Sequence, residues 1–570
     1  MKETITNILY TADGEVLSGT PWNVYPRPRL VRNSFFCLNG EWELTATDGE
    51  KYKILVPFSP ESALSGVGKR MGEHPHIIYK KRFSLPENFA RKRVILHFGA
   101  VDQIAEVELN GKLLGKHVGG YEHFSFDVTD ELRDENELTV TVTNAEDPLS
   151  LPYGKQCEKR GGMWYTPVTG IWQTVWIESV PAKYITELSV KVDGNYVEIS
   201  VEGVSDGRIC VDAEGKEIKV DLKDGKASFS LDNVRLWTPE DPYLYRYTVD
   251  AEGDSVSSYF AVRKVSIENK NGKNVICLNS KPIFLHGLLD QGYFSDGIFT
   301  PATADEYKRD ILSMKSLGFN MLRKHIKVEP DIFYYYCDVY GMMVMQDMVN
   351  NGDYSFIRDT ALPTVGFKRR NDKNMHRDPA TRKAFEDGMV STVNALREYP
   401  SIVAWTVFNE GWGQFCSDEM YDKIKKLDST RVVDTVSGWF SGARNELESQ
   451  HIYFKPIKVK KRYEKPLFIS EFGGYACRID GHVFNSDNEY GYKSFKTKEE
   501  LEEAFVALYK NEIIPAISMG LCGSVYTQVS DVEDETNGLL TYDRRICKVD
   551  AERIKALSDE LFAAFEAENN

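Results

Sequence analysis

The chain has 570 residues, 42% of them hydrophobic and 12% aromatic, enough for about three ordinary domains with cores of their own and too apolar for a disordered protein. Its 86 acidic against 70 basic residues give a net charge of −16, which opposes binding to nucleic acid or to an anionic membrane. Nine scattered cysteines, an odd number without close pairs, fit reduced thiols better than a disulfide scaffold. Residues Met1 to Tyr10 lack a basic flank followed by an apolar core, and no later run is long and apolar enough to span a bilayer. The expectation is a soluble cytoplasmic protein.

From about residue 30 to 180, short alternating runs stand between Gly, Asn and Asp turns: WELTAT, VILHFG, EVELNGKLLGKHVGG, ELTVTVTN and QTVWIES. Asn110-Gly111 between two such runs is a hairpin signal, and the whole portion reads as a two-sheet β-sandwich. A second β segment of immunoglobulin-like size follows over 183–268, with ELSVKVD, YVEISVEG, ASFSLD, YLYRYTVD and SYFAVRKVSIE. The expected domains are 1–181, 182–269 and 270–570.

After residue 270 strands alternate with helices, the pattern of a parallel sheet with crossovers. Eight strand-like runs appear: PIFLHG, NMLRKH, MMVMQD, IVAWTVF, RVVDTVSG, QHIYF, LFISE and CGSVYTQ. The first helix is expected over Thr303–Leu317, capped by Thr303 with Glu306 in the capping-box position and ended by Gly318; a last helix is expected near 549–567. Eight strands in about 300 residues is the count of a (β/α)8 TIM barrel, whose active sites lie at the C-terminal strand ends. The polar residues there are His286, Asp290, Arg323, His325, Asp347, Asn409, Glu410, Trp439, His451, Tyr453, Glu471, Tyr526 and Asp531, a ring suited to a polyhydroxylated ligand.

Two of these carboxylates stand out. Glu410 closes SIVAWTVFNEGWG and Glu471 closes KPLFISEFGG, each thrown up by the end of its own buried strand and followed by a glycine turn. A fold that brings them together supplies what cleavage of a glycosidic bond needs: one group protonates the leaving oxygen while the other attacks or stabilises the sugar cation.

The chain resembles glycoside hydrolase family two, the β-galactosidase, β-glucuronidase and β-mannosidase group, nearly end to end. The resemblance is carried by DQIAEVELNGKLLGKHVGGYEHFSFDVT and TGIWQTVWIE in the first module, by RLWTPEDPYLYRYTV in the second, and by KPIFLHG, FNMLR, FNEGWG and ISEFGG in the barrel. It implies a sugar-binding jelly-roll sandwich, an immunoglobulin-like sandwich and a catalytic TIM barrel. It further implies Glu410 as general acid/base and Glu471 as nucleophile of a retaining double displacement, with Arg323 orienting the nucleophile. Asn409 is expected to donate to the sugar 2-hydroxyl, Tyr453 or Tyr526 to the nucleophile, Trp439 to offer a stacking face, and Asp347 to accept a hydroxyl or pair with Arg323. Asp290, His325 and His451 complete the expected substrate ring.

The chain departs from the family pattern in two places. The Asn-x-Lys-Gly that holds a glucuronide carboxylate is replaced by Asn537-Gly538-Leu539, leaving Lys324, Lys327 or Arg544 as candidate cations, and RKHIKV over 323–328 stands where many members have Arg-Thr-Ser-His-Tyr-Pro. The expected activity is therefore β-galactosidase-like, with β-glucuronidase, β-mannosidase and arabinosidase or galactofuranosidase as alternatives within the family. A non-catalytic carbohydrate-binding protein is the alternative from another class. No metal or other cofactor is expected, since close ligand spacings such as His-Glu-x-x-His are missing. The expected partner is a carbohydrate, with a homo-oligomer left open.

Overall fold

The computed structural model describes residues 8–89, 92–364, 366–367, 371–440, 444–459 and 463–569. Most of the Met1 to Tyr10 stretch, read above for targeting signals, lies outside the described residues. Alternation builds the first sandwich. In Asn136–Thr143 every second residue is buried, so Leu138, Val140 and Val142 face inward while the threonines face out. That strand sits inside a six-stranded antiparallel sheet, which packs on a four-stranded one through Trp42, Tyr79, Val107, Leu96, Phe98 and Ile177. The expected hairpin forms between Ile104–Leu109 and Lys112–Val118, with Asn110 and Gly111 both at positive φ, the backbone that a tight two-residue turn requires.

The second module is a sandwich of three-stranded and four-stranded antiparallel sheets around Val197, Ile199, Ile209, Val211, Tyr247 and Val249. Two of its strands, Gly207–Ala213 and Lys216–Leu222, were not anticipated from the sequence. The run SYFAVRKVSIE, expected as one strand, divides in two. Its first half ends the strand Asp254–Phe260; its second half opens the strand Val265–Lys270, which pairs with Lys273–Leu278 in a hairpin that straddles residue 270. Val275, Ile276, Cys277 and Leu278 then pack under the barrel against Leu285, Met321, Met343 and Phe468, closing its N-terminal end.

The barrel consists of eight parallel strands: β1 Leu285–Asp290, β2 Met321–Lys324, β3 Met343–Asp347, β4 Ile402–Asn409, β5 Val432–Ser437, β6 Glu448–Ile452, β7 Leu467–Gly473 and β8 Leu521–Thr527. They are ordered 5-4-3-2-1-8-7-6. Side chains bridge the seam between β5 and β6: the Asn445 amide donates to Asp434 Oδ1 at 2.9 Å and the Ser449 hydroxyl to Asp434 Oδ2 at 2.7 Å. Among the described residues the β5–β6 and β6–β7 links carry no helix, unlike a regular (β/α)8 repeat.

The helix after β1 runs over Asp305–Ser316, two residues later than expected, because the Thr303 hydroxyl bonds Asp13 instead of capping it. Glu306 still reaches back, accepting from the Ala302 N–H at 3.1 Å. The last helix runs over Ala551–Asn569. Among the described residues no helix is long and apolar enough to cross a membrane.

Between barrel and last helix lies His286, 1% exposed, stacked on Phe319 with its Nε2 3.0 Å from Ser558 Oγ and its Nδ1 without a partner. Burial holds its ring neutral, at about 3. The unfolded chain takes up this proton near pH 6.5 whereas the folded chain does not, so stability is present above pH 6.5 and falls as pH drops below it. Thermal or urea unfolding should show a loss of about 2 kcal/mol between pH 7 and pH 5 from this group alone. His286→Phe should flatten that slope, and an unchanged slope would refute the assignment.

Candidate active site

A buried arginine organises the C-terminal mouth of the barrel. Arg323, at the end of β2, is fully buried, and each of its five N–H groups has an acceptor. Nε and Nη2 donate to the two oxygens of Asp347 on β3, both at 3.0 Å. Nη2 also donates to Asn409 Oδ1 on β4 at 2.9 Å, and Nη1 donates to Glu471 Oε1 and the Ser470 carbonyl on β7, both at 3.0 Å. Asp347 is held below the usual carboxylate range: burial works against its charge, but Arg323 and the His325 ring, whose Nδ1 lies 2.7 Å from Asp347 Oδ2, outweigh it. Burial keeps His325 itself neutral, at about 4.

Because Asn409 Oδ1 accepts from a guanidinium, the amide Nδ2 is left as the free end of that side chain, oriented as a donor. One residue later the chain turns sharply. Glu410 and Gly411 both have positive φ, 51° and 78°, and for a glutamate that conformation costs about 1 kcal/mol or more. The turn takes the Glu410 carboxyl off the strand line, where the His451 ring meets it with Nδ1 2.7 Å from Oε1.

On the other side, Glu471 Oε2 accepts from the Tyr453 hydroxyl at 2.6 Å. Burial opposes its charge, but the His451 ring, Arg323, His325 and that hydroxyl outweigh burial and hold Glu471 down at about 2. The glycines of the EFGG turn are needed for space: a Cβ at Gly473 would lie 2.2 Å from the Tyr526 ring, and one at Gly474 2.3 Å from the Tyr492 ring. Tyr492 in turn stacks on Tyr453 at 3.7 Å between centroids. One oxygen of Glu410, one of Glu471 and a ring nitrogen of His451 lie within 4.8 Å of one another. Three such ligand atoms could hold a metal ion, but the Arg323 guanidinium beside Glu471 opposes a second cation there.

The expected residues therefore divide. Arg323, His325, Asp347, Asn409, Glu410, His451, Tyr453 and Glu471 form one hydrogen-bonded network. Trp439 stands half-buried on its rim, edge-on to His451 at 6.2 Å. Asp290 and Tyr526 fall outside it. The two-residue period of a strand sends Arg323 inward and Lys324 outward, and Asp290 faces the same outer side, where it accepts from Lys324 at 2.7 Å. Tyr526 likewise points outward, packed against Phe472, Phe505 and Tyr475, while its neighbour Thr527 lies 2.9 Å from the Tyr453 hydroxyl. Thus Tyr453 is the tyrosine donor to Glu471, and Thr527 takes the position expected for Tyr526. His286 and Asp531 also lie elsewhere, Asp531 bound by Lys548 at 2.6 Å.

The three cations considered for a substrate carboxylate are committed: Lys324 to Asp290 and Glu329, Lys327 to Glu329, and Arg544 to Asp310. Sequence reasoning missed what the first sandwich contributes. Its loop after Pro148 docks on the barrel mouth, with the Tyr153 hydroxyl donating to the Gly352 carbonyl at 2.8 Å and the Tyr165 hydroxyl to Glu535 at 3.0 Å. It delivers Trp164, stacked on Trp412 at 5.2 Å, and the buried Lys155, whose Nζ lies 4.9 Å above the Trp412 ring. No spacing signal links residues 250 positions apart. A separate cavity of about 460 Å³ on the barrel's flank, lined by Trp22, Arg27, Trp176, Asp331 and Tyr399, contains neither carboxylate of the pair.

Comparison with known proteins matches three family profiles in order. They are a galactose-binding domain-like profile of glycosyl hydrolase 2 over residues 69–161, a glycosyl hydrolases family 2 profile over 173–263, and the TIM barrel domain of glycosyl hydrolases family 2 over 267–556. A beta-galactosidase of Thermoanaerobacter pseudethanolicus is 28% identical over 430 residues, covering 70% of this chain and 54% of that protein. The chain spans about half the length of such relatives. Among solved structures, a beta-D-glucuronidase of Dictyoglomus thermophilum superposes with a TM-score of 0.74 at 19% identity, covering 94% of this chain and 98% of the other. A GH2 beta-galacturonidase of Eisenbergiella tayi, bound to galacturonate, does so with a TM-score of 0.66 at 20% identity, covering 95% and 99%. These likenesses show a shared fold, and with the barrel profile alone matching just over half of its residues, the chain belongs to glycosyl hydrolases family 2.

Proposed function

We propose that the chain is a retaining exo-β-glycosidase, with Glu410 as general acid/base and Glu471 as nucleophile. The observation that carries this reading is the approach of the two carboxyl groups, one oxygen of each within 4.8 Å of the other. A retaining pair sits about 5–5.5 Å apart, whereas an inverting pair needs roughly 6.5–9.5 Å to admit water between them. The unequal surroundings support the same roles. Glu471, held at about 2 by its donors, is ionised and ready to attack the anomeric carbon. Arg323 is shared between the Asp347 and Glu471 carboxylates, and an ionised Glu471 would stabilise the oxocarbenium-like cation that the sugar becomes. The orientation of Asn409, with Oδ1 taken by Arg323, supports a role for its amide nitrogen as donor to the 2-hydroxyl.

For substrate, the proposal is a terminal β-galactoside, supported by the commitment of Lys324, Lys327 and Arg544 to carboxylates of the protein itself and by the relative named beta-galactosidase. A second reading, a β-uronide, is favoured by one observation. Lys155 has no carboxylate within ion-pair distance among the described residues and stands beside the loop that carries Glu410.

A nitrophenyl glycoside screen should give the highest kcat/KM with galactose; a preference for glucuronide or galacturonide that Lys155→Met abolishes would replace that substrate. NMR of the first-formed product should show the β anomer, and an α product would overturn the retaining route. Glu471→Gln should lower kcat by on the order of 10⁴ or more with the fold intact. Glu410→Ala should spare the first step for dinitrophenyl glycosides, then stall, with azide restoring turnover as a glycosyl azide.

Arg323→Met should strand Asp347 and Glu471 as uncompensated buried charges. Urea unfolding should show a loss of about 3–5 kcal/mol, and kinetics a drop in kcat/KM of at least about 100-fold.

A further inference from the structure

We infer that His451 is a positioning residue which selects one oxygen of Glu410 for proton transfer and holds the glutamate through hydrolysis of the glycosyl-enzyme. This inference rests on the roles of Glu410 and Glu471 proposed above. The His451 side chain is fully buried between the two carboxyl groups, its Nδ1 2.7 Å from Glu410 Oε1 and 3.6 Å from Glu471 Oε2. Its other nitrogen, Nε2, faces Ser437 Oγ at 3.1 Å and Arg323 Nη1 at 3.4 Å. The Arg323 guanidinium offers only donors and so favours a lone pair on Nε2, which can accept from the serine hydroxyl, while the carboxyl oxygens around Nδ1 are acceptors and favour a hydrogen there. That places the ring proton on Nδ1, directed at the carboxyl pair. Gly438 makes the room: a Cβ there would lie 2.8 Å from the ring.

With Oε1 occupied by the Nδ1–H, Oε2 is the oxygen of Glu410 left for chemistry. In the first step Oε2 gives its proton to the leaving oxygen as the bond from that oxygen to the anomeric carbon breaks and the bond to Glu471 forms. In the second, Oε2 takes a proton from water as the water oxygen bonds the anomeric carbon and the Glu471 ester opens. His451 keeps its proton throughout. Its hydrogen bond is strongest between the two steps, when Glu410 is an anion and Glu471 a neutral ester. Losing it should therefore penalise the second step more than the first.

The test compares His451→Phe and His451→Asn with wild type on a dinitrophenyl glycoside, whose departure needs no acid. In the phenylalanine variant kcat should fall by about 10- to 100-fold with KM falling in parallel, so that kcat/KM changes little and a pre-steady-state burst appears. Azide, a nucleophile that needs no base, should restore its turnover. The asparagine amide occupies the place of Nδ1 and should recover most of kcat. Equal losses of kcat and kcat/KM, failure of azide, or an asparagine variant no better than phenylalanine would each overturn the inference while leaving the glycosidase assignment standing. A wild-type chain inert on every glycoside would overturn both.

Discussion

The site depends on one buried cation with all five donors in use. Arg323 ties β2 to β3, β4 and β7 in a single plane of hydrogen bonds, fixing Asp347, Asn409 and Glu471 against one another. A guanidinium can do this because its donors are rigidly forked; a lysine would offer a point charge without the geometry. The desolvation of so buried a charge is large, and it is offset only while both carboxylates and both carbonyl-type acceptors are present. The cluster is therefore all or nothing. It specifies a single arrangement of the barrel mouth, and it fixes Asn409 Oδ1 as an acceptor, leaving the amide nitrogen as a donor.

Around this centre the backbone supplies direction. Strand alternation alone divides Arg323 from Lys324 and Thr527 from Tyr526, putting one member of each pair into the site and the other into the layer between barrel and helices. Glycines and positive φ angles act where alternation cannot. The left-handed turn at Glu410 lifts its carboxyl off its strand, Gly473 and Gly474 admit the rings of Tyr526 and Tyr492, and Gly438 admits His451. The aromatic stack of Tyr492 on Tyr453 then holds in place the hydroxyl that donates to Glu471.

The first sandwich is more than a neighbour. Its loop after Pro148 hydrogen-bonds the loops after β3 and β8 and lays Trp164 and Lys155 against Trp412, two residues beyond Glu410. Part of the surroundings of the Glu410 loop is thus built from the first sandwich. Differences in substrate among barrels of one family can arise in such loops without any change to the carboxylate pair.

The order of modules, the eight barrel strands and the two glutamates were legible in the amino-acid sequence because each has a local signature: period-two alternation, an apolar run ended by a carboxylate, a glycine turn. The hairpin at Asn110-Gly111 is legible for the same reason. The helix start at Asp305 was misjudged because Thr303 bonds Asp13, 290 positions away, rather than its own helix. Tyr526 and Asp290 were placed in the site by their nearness to strand ends, yet the facing of a strand follows from register, and Arg323 pointing inward fixes Lys324 and Asp290 outward. What the sequence alone determined is the set of chemical groups and the strands that carry them. Which tyrosine reaches Glu471, which cations are already paired, and that His451 lies between the two carboxyl groups were decided only by tertiary structure, because these contacts join separate strands and loops at distances that no local pattern encodes.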